Sequence, residues 1–102
     1  AEQACRRALA IEPHRAYSNK GLGLCLAKQG KLDEGLPYLH HAIAVEPNWF
    51  DPRWDLAVVL SEVGRYDEAL AVLVEMDRVL PDCAPRVAEL RRQIQIKQQA
   101  GI

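Results

Sequence analysis

The sequence predicts an all-α protein built from stacked helix pairs, and two repeating patterns carry that prediction. The stretch GKLDEGL at residues 30–36 returns as GRYDEAL at residues 64–70, which is 34 residues later. Three similar tripeptides, IEP, VEP and VLP, end at Pro13, Pro47 and Pro81, again 34 residues apart. A fixed period of this length is typical of proteins in which each repeat is one supersecondary unit that packs on the next.

The unit at residues 16–49 begins with a predicted helix. Within residues 17–29, Leu22 and Leu26 recur at helical spacing. Gly30 follows directly, and glycine in this position can adopt the left-handed conformation that closes a helix. The sequence therefore predicts a helix that ends in a short glycine turn.

A second helix is predicted after this glycine. Asp33 and Glu34 are expected to cap its free amides and to face the positive end of its dipole. Pro47 would stop the helix, whereas Pro37 is expected in its first turn, where proline costs little. The apolar stripe of this helix would comprise Leu36, Leu39, Ala42 and Ile43.

The unit at residues 50–83 repeats the same design. Its first helix is expected to start with Asp51 as a cap and Pro52 at the first position, and to end at Gly64. A second acidic pair and a closing proline predict another helix that ends before Pro81. Each 34-residue unit is thus predicted to be a helix, a turn and an antiparallel helix.

The two ends of the chain differ in kind. Residues 1–15 have the phase of a second helix in a truncated repeat, and we expect the natural chain to continue upstream. The apolar side of this helix, expected to lack a cover, comprises Ala4, Cys5, Ala8, Leu9 and Ile11. Residues 84–102 are predicted to hold a capping helix at 85–99, because a terminal helix with a polar outer side ends a solenoid.

Composition indicates one domain, residues 1–102, with nearly balanced charge and no apolar segment of membrane-spanning length. Apolar residues make up 49% of the chain and charged residues 26%, with 13 basic side chains against 14 acidic ones. A net charge of −1 supplies no field that would attract nucleic acid or an anionic membrane surface. The expected partners are therefore proteins or peptides, with no nucleic acid and no membrane.

The residues with reactive side chains do not form a catalytic or metal-binding motif. The three cysteines do not suggest a disulfide framework, which favours a reducing and hence cytoplasmic location. His40 and His41 are adjacent on a predicted helix and would not converge on one ion, and no metal or other cofactor is expected. The acidic pairs fit helix starts better than acid–base catalysis, so we do not expect an enzyme.

The spacings LG…L…GKLDEGL…L…A…P and LA…L…GRYDEAL…L…M…P resemble the tetratricopeptide repeat. This resemblance implies a right-handed superhelical α-solenoid of antiparallel helix pairs. Two departures stand out. The family often has an aromatic residue where Asn19 and Arg53 stand, and Met76 replaces the small residue found at Ala8 and Ala42.

The resemblance also implies a concave groove lined by the first helix of each unit. The predicted peptide-binding residues in this groove are Tyr17, Lys20, Leu24, Asp51, Trp54, Asp55, Val58 and Arg92. Aromatic anchors surrounded by polar groups are typical of protein interfaces. The alternative is that Tyr17 and Trp54 pack between repeats, and part of the aromatic cluster at 48–54, either Trp49 or Phe50, is expected in the core.

Some members of this family bind a carboxylate-bearing tail through a lysine followed one turn later by an asparagine. Here Lys20 is followed by Leu24, and the next helix supplies Asp55, which would repel a carboxylate. The acidic residues favour a partner segment with a basic residue beside an apolar one.

The first functional hypothesis is a non-catalytic scaffold that binds a peptide of a partner protein in the groove. The second is a structural spacer within a larger enzyme or assembly factor. The third is self-association as a homo-oligomer through the N-terminal helix, because an exposed apolar face favours pairing.

Overall fold

The structure, a computed structural model, describes residues 1–101, and within them it contains helices and no strands. The α-helices are α1 (Glu2–Ile11), α2 (Ala16–Lys28), α3 (Leu32–Val45), α4 (Phe50–Glu62), α5 (Tyr66–Val79) and α6 (Ala84–Ala100), with one 3₁₀ turn at Pro81–Cys83. The predicted all-α class is confirmed. The chain divides into two compact units, Ala1–Pro52 and the residues from Arg53 onward. The division into repeats at 15/16, 49/50 and 83/84 stays a prediction.

In the first unit, α2 and α3 approach closely because two glycines face each other. A Cβ on Gly35 would lie 2.6 Å from the carbonyl oxygen of Gly23, and a Cβ on Gly23 would lie 2.7 Å from Cγ of Leu39. There is therefore no room for a side chain on either glycine at this crossing. The buried apolar core around it comprises Leu22, Leu26, Leu32, Leu39 and Ala42.

Gly30 and Gly64 end α2 and α4 in the same way, with left-handed φ angles of 80° and 82°. After α2, the N–H of Lys31 donates to the carbonyl of Leu26 at 2.8 Å, and that of Gly30 donates to Ala27 at 3.0 Å. This pair of hydrogen bonds is the Schellman motif, and the equivalent pair follows α4. The predicted glycine caps are confirmed.

The N-terminal helix α1 packs on α2 but buries none of its own residues. Gln29 donates to Glu2 at 2.6 Å, and the sulfur of Cys5 lies 2.8 Å from where a Cβ on Gly21 would be. The face expected to lack a cover is therefore covered in part. Ile11, at 81% exposure, remains open to solvent.

In the second unit, α5 and α6 pack against each other. Val87, Leu90 and Ile94 form the buried side of α6, while most of its other residues are exposed. Polar contacts join the same helices: Gln98 donates to Asp67 at 3.0 Å, and Arg91 forms an ion pair with Asp77. The helix predicted at 85–99 is confirmed, whereas its role as a cap stays a prediction.

Two predicted acidic caps are wrong. The N-cap of α3 is Lys31 and that of α5 is Arg65, and neither side chain makes a capping hydrogen bond. The reason is that the residue completing the glycine turn is already the N-cap of the next helix. The acidic pairs lie in the first turns, where they still face the positive end of the helix dipole.

Two proline positions also differ from the prediction. Pro37 is the sixth residue of α3 and lies in its second turn, where it has no N–H to donate to the carbonyl of Asp33. Helix α4 begins at Phe50, ahead of the expected Asp51 cap, so Pro52 occupies its third position. This is still the first turn, where backbone N–H groups have no partner within the helix.

Candidate functional site

The first surface is one face of α2. Tyr17, Lys20 and Leu24 are spaced by three and four residues and therefore share this face, which we call the α2 front. Tyr17 is 66% exposed, while Lys20 and Leu24 are half-buried. The exposure of Tyr17 does not fit the alternative that it packs between repeats.

Lys20 lies against two aromatic rings at this surface. Its Nζ is 5.8 Å from the ring centroid of Tyr17 and 5.6 Å from that of Trp49. Both distances are within the range of a cation–π contact. Trp49, one of the two aromatics considered for the core, is half-buried and contributes to the α2 front. Because it lies in the turn before α4, helical spacing could not place it there.

Asp51 lies in the first turn of α4 and is exposed. Of the four groove residues predicted on α4, it is the only one that belongs to the first unit. Its carboxylate is therefore accessible to a ligand at this end of the unit.

The second surface belongs to the second unit. Trp54, Asp55 and Val58 share one face of α4, which we call the α4 front, and all three are half-buried. Cζ of Arg86 lies 5.2 Å from the ring centroid of Trp54. Sequence reasoning missed Arg86, because its place near this ring depends on how α6 begins.

Arg92, the remaining predicted site residue, is exposed on α6 and engaged by its own helix. Its Nε and Nη2 donate to the two carboxylate oxygens of Glu89 at 3.1 and 2.7 Å. These hydrogen bonds lower the pKa of Glu89, with a further contribution from Gln93, and raise the pKa of Arg92. The charge of Arg92 is thus compensated locally, and its predicted contact with a peptide remains untested.

A third feature, a pocket of 330 Å³, lies on the side of α2 away from the α2 front. It is lined by Arg6, Leu9, Ala10, Pro13, Asn19, Leu22 and Tyr38. Asn19 stands two residues after Tyr17, and two residues rotate an α-helix by about 200°. The sequence feature that could have indicated this pocket is Asn19 itself, a small polar residue at a position where similar repeats often have an aromatic one.

Possible metal ligands do not converge in the described part of the chain. Over residues 1–101, no three His, Cys, Asp or Glu side chains cluster as metal ligands. His14 and His41 come together, with Nδ1 of the first 2.9 Å from Nε2 of the second. The prediction from sequence considered His40 and His41 and missed this pairing across the unit.

Within the part of the chain that the structure describes, no helix combines the length and the apolar character that a membrane span requires.

Comparison with known proteins gives one informative match. A family model described as tetratricopeptide repeat matches residues 26–94. A search of curated proteins gives no match. The family match covers both glycine turns and the helices around them, which is more than half of the chain, and the chain therefore belongs to the tetratricopeptide repeat family.

Proposed function

We propose that this chain is a non-catalytic scaffold that binds a peptide segment of a partner protein, with the α2 front and the α4 front each offering a contact surface of its own. Tetratricopeptide repeats generally mediate protein–protein interactions, and they are typically non-enzymatic. The observation that carries the proposal is the exposed Tyr17 beside Lys20 and Trp49, an aromatic surface with a charged centre. Such residues are the ones that most often dominate binding energy at protein interfaces.

The chemistry of the two fronts suggests the character of the peptide. In the first unit Tyr17 and Leu24 offer apolar surface and Asp51 adds negative charge. In the second unit Val58 and Asp55 offer the same combination on the α4 front. A segment with an apolar residue next to a lysine or arginine would complement both features. Its apolar side chain would bind against the aromatic rings, and its basic group would lie near the carboxylates.

The location proposed for this scaffold is the cytoplasm. All three cysteines, Cys5, Cys25 and Cys83, are free thiols in the structure. Free thiols are common where the compartment keeps them reduced.

The experiment is a binding selection followed by substitution. Peptides would be selected from a random displayed library on the purified chain, and affinities would be measured for the triple variant Tyr17→Ala, Lys20→Ala, Trp54→Ala. We expect the selected peptides to contain a basic residue beside an apolar one, and the variant to lose roughly tenfold or more in affinity.

The matched control is Val74→Ala, which truncates an exposed apolar side chain on α5, outside both fronts. This variant is expected to bind like the parent chain. Peptides that bind the triple variant and the parent chain equally well would show that the fronts are not the site.

One observation favours self-association as a second candidate. Ile11 at the end of α1 is among the most exposed large apolar residues of the described chain. This candidate needs a second copy of the chain in place of a foreign peptide, so the oligomeric state in solution separates it from the scaffold proposal.

A further inference from the structure

The pocket behind α2 has a composition suited to a specific ligand. Leu9, Ala10, Pro13 and Leu22 give it an apolar wall, and Arg6, Asn19 and Tyr38 bring polar groups. Its volume of 330 Å³ is at the small end of the range for ligand pockets, which are mostly apolar with a few placed polar groups. A single ring-sized group fits this description better than an extended chain.

Asn19 defines what kind of polar group the pocket can recognise. It is only 3% exposed, and its Nδ2 donates to the carbonyls of Pro13 at 3.2 Å and Arg15 at 2.9 Å. Both of its N–H groups are therefore in use. Within residues 1–101 the side-chain hydrogen bonds of Asn19 are both made by Nδ2, and no group donates to its Oδ1. Every side-chain oxygen that is fully enclosed in this part of the chain does have a hydrogen-bond partner, so Oδ1 is not fully enclosed. This oxygen must therefore reach open space, and the pocket that Asn19 lines supplies it.

Arg6 does not make the pocket a site for anions. Its Nε donates to Glu2 at 2.9 Å, so an anionic ligand beside Arg6 would also meet the carboxylate of Glu2. The Glu2 contact is the main reason that the pKa of Arg6 is raised, with a smaller contribution from the Tyr38 hydroxyl. Held in this way, the planar guanidinium can instead lie against the face of an aromatic ring.

We propose that this pocket binds one aromatic side chain of a protein partner, and that this side chain carries a hydrogen-bond donor, as the indole of tryptophan or the phenol of tyrosine does. The ring packs against Leu9, Ala10 and Leu22, and its N–H or O–H donates to the free oxygen of Asn19. A buried acceptor left without a donor is unfavourable, so the site selects rings with a donor over phenylalanine.

This site is separate from the peptide surface proposed above. Asn19 and Leu22 point away from the α2 front, and Trp54 and Asp55 belong to the other unit. Loss of binding at the α2 front would leave the pocket intact. The two proposals can therefore fail independently.

The first experiment titrates the ¹⁵N-labelled chain with N-acetyl-tryptophanamide and, as the matched probe without a donor, N-acetyl-phenylalaninamide. We expect millimolar binding of the tryptophan probe, with chemical-shift changes at the Asn19 side-chain amide and at Leu9, Ala10 and Tyr38. The phenylalanine probe should bind about 3- to 10-fold more weakly, the effect of one unmade hydrogen bond. Equal affinities, or shifts confined to the α2 front, would overturn the proposal.

Two variants in which an alanine is replaced by phenylalanine complete the test. Ala10→Phe places a ring in the pocket from an exposed position of α1 and should abolish the shifts caused by the tryptophan probe. Ala44→Phe adds the same bulk at an exposed position of α3 outside the pocket and should bind the probe like the parent chain. Unchanged binding by Ala10→Phe, with a folded spectrum, would place the probe elsewhere and contradict the assignment.

Discussion

At the scale of single residues, the most informative positions are two polar side chains buried one repeat apart. Asn19 is 3% exposed and Arg53 is 9% exposed, and both stand where the family often has an aromatic residue. The sequence marked these positions as departures, but burial alone shows that each fills a place inside its unit. The consequences differ, because the short Asn19 borders a pocket, while the charge of the longer Arg53 adds to the larger effect of Arg78 in lowering the pKa of Glu75.

The glycine turns give a prediction at the same scale. Gly30 has a φ of 80°, and a Cβ added there would meet no atom within 4 Å, so any cost of a side chain is conformational. We expect Gly30→Ala to lower the free energy of unfolding by about 1–2 kcal/mol, measured by urea denaturation. Gly30→Asn should lose less, because asparagine tolerates the left-handed region better.

The control for this prediction is Lys31→Ala, the position that follows, which has a negative φ of −108° and no side-chain capping hydrogen bond. It is expected to change stability by no more than about 0.5 kcal/mol. A Gly30→Ala variant as stable as Lys31→Ala would contradict the assigned role of the left-handed turn.

At the scale of helices, the sequence predicted the parts that depend on local pattern. Helix order, the closing glycines and the helix around 85–99 follow from apolar spacing and from residues with special backbone preferences. The wrong details concern helix starts. Lys31 closes the turn after α2 through its backbone N–H and is also the N-cap of α3. No position is therefore left in front of α3 for an acidic cap.

The candidate site was less accessible to sequence reasoning than the fold. Spacing on α2 was sufficient to place Tyr17, Lys20 and Leu24 on one face. The partners Trp49 and Arg86 depend instead on where a turn and a distant helix bring their side chains. No local pattern encodes such contacts, because they follow from packing between elements.

Ion pairs within helices and turns give a prediction for acid stability. Hydrogen bonds lower the pKa of four glutamates below the ordinary 4.5, with Gln29 as the main donor to Glu2 and arginines as the main donors to Glu68, Glu75 and Glu89. A lowered folded-state pKa gives stability that is present above the unfolded value and is lost as pH falls through the folded value. The melting temperature should therefore decline as pH falls below about 4.5.

The comparison variant for this prediction is the double substitution Glu68→Gln, Glu89→Gln, which removes two of the titrating groups. Between about pH 5 and pH 3 the melting temperature of this variant should fall less steeply than that of the parent chain. The melting temperatures of the two proteins should differ least at the acid end of this range. Parallel curves for the two proteins over this range would show that these carboxylates do not contribute to the acid transition.

At the scale of the whole molecule, the oligomeric state decides between the scaffold proposal and self-association. Packing on α2 leaves Cys5, Ala8 and Leu9 half-buried, so Ala4, Ala10 and Ile11 are the main apolar residues that α1 still exposes. Stable dimer interfaces bury roughly 1,200–2,000 Å² in total, far more than these three side chains provide. We therefore expect one sedimenting species of monomer mass across a hundredfold range of concentration. A sedimentation coefficient that rises with concentration in the parent chain, and returns to the monomer value in Ile11→Ser but not in Val74→Ser, would instead place the interface on α1.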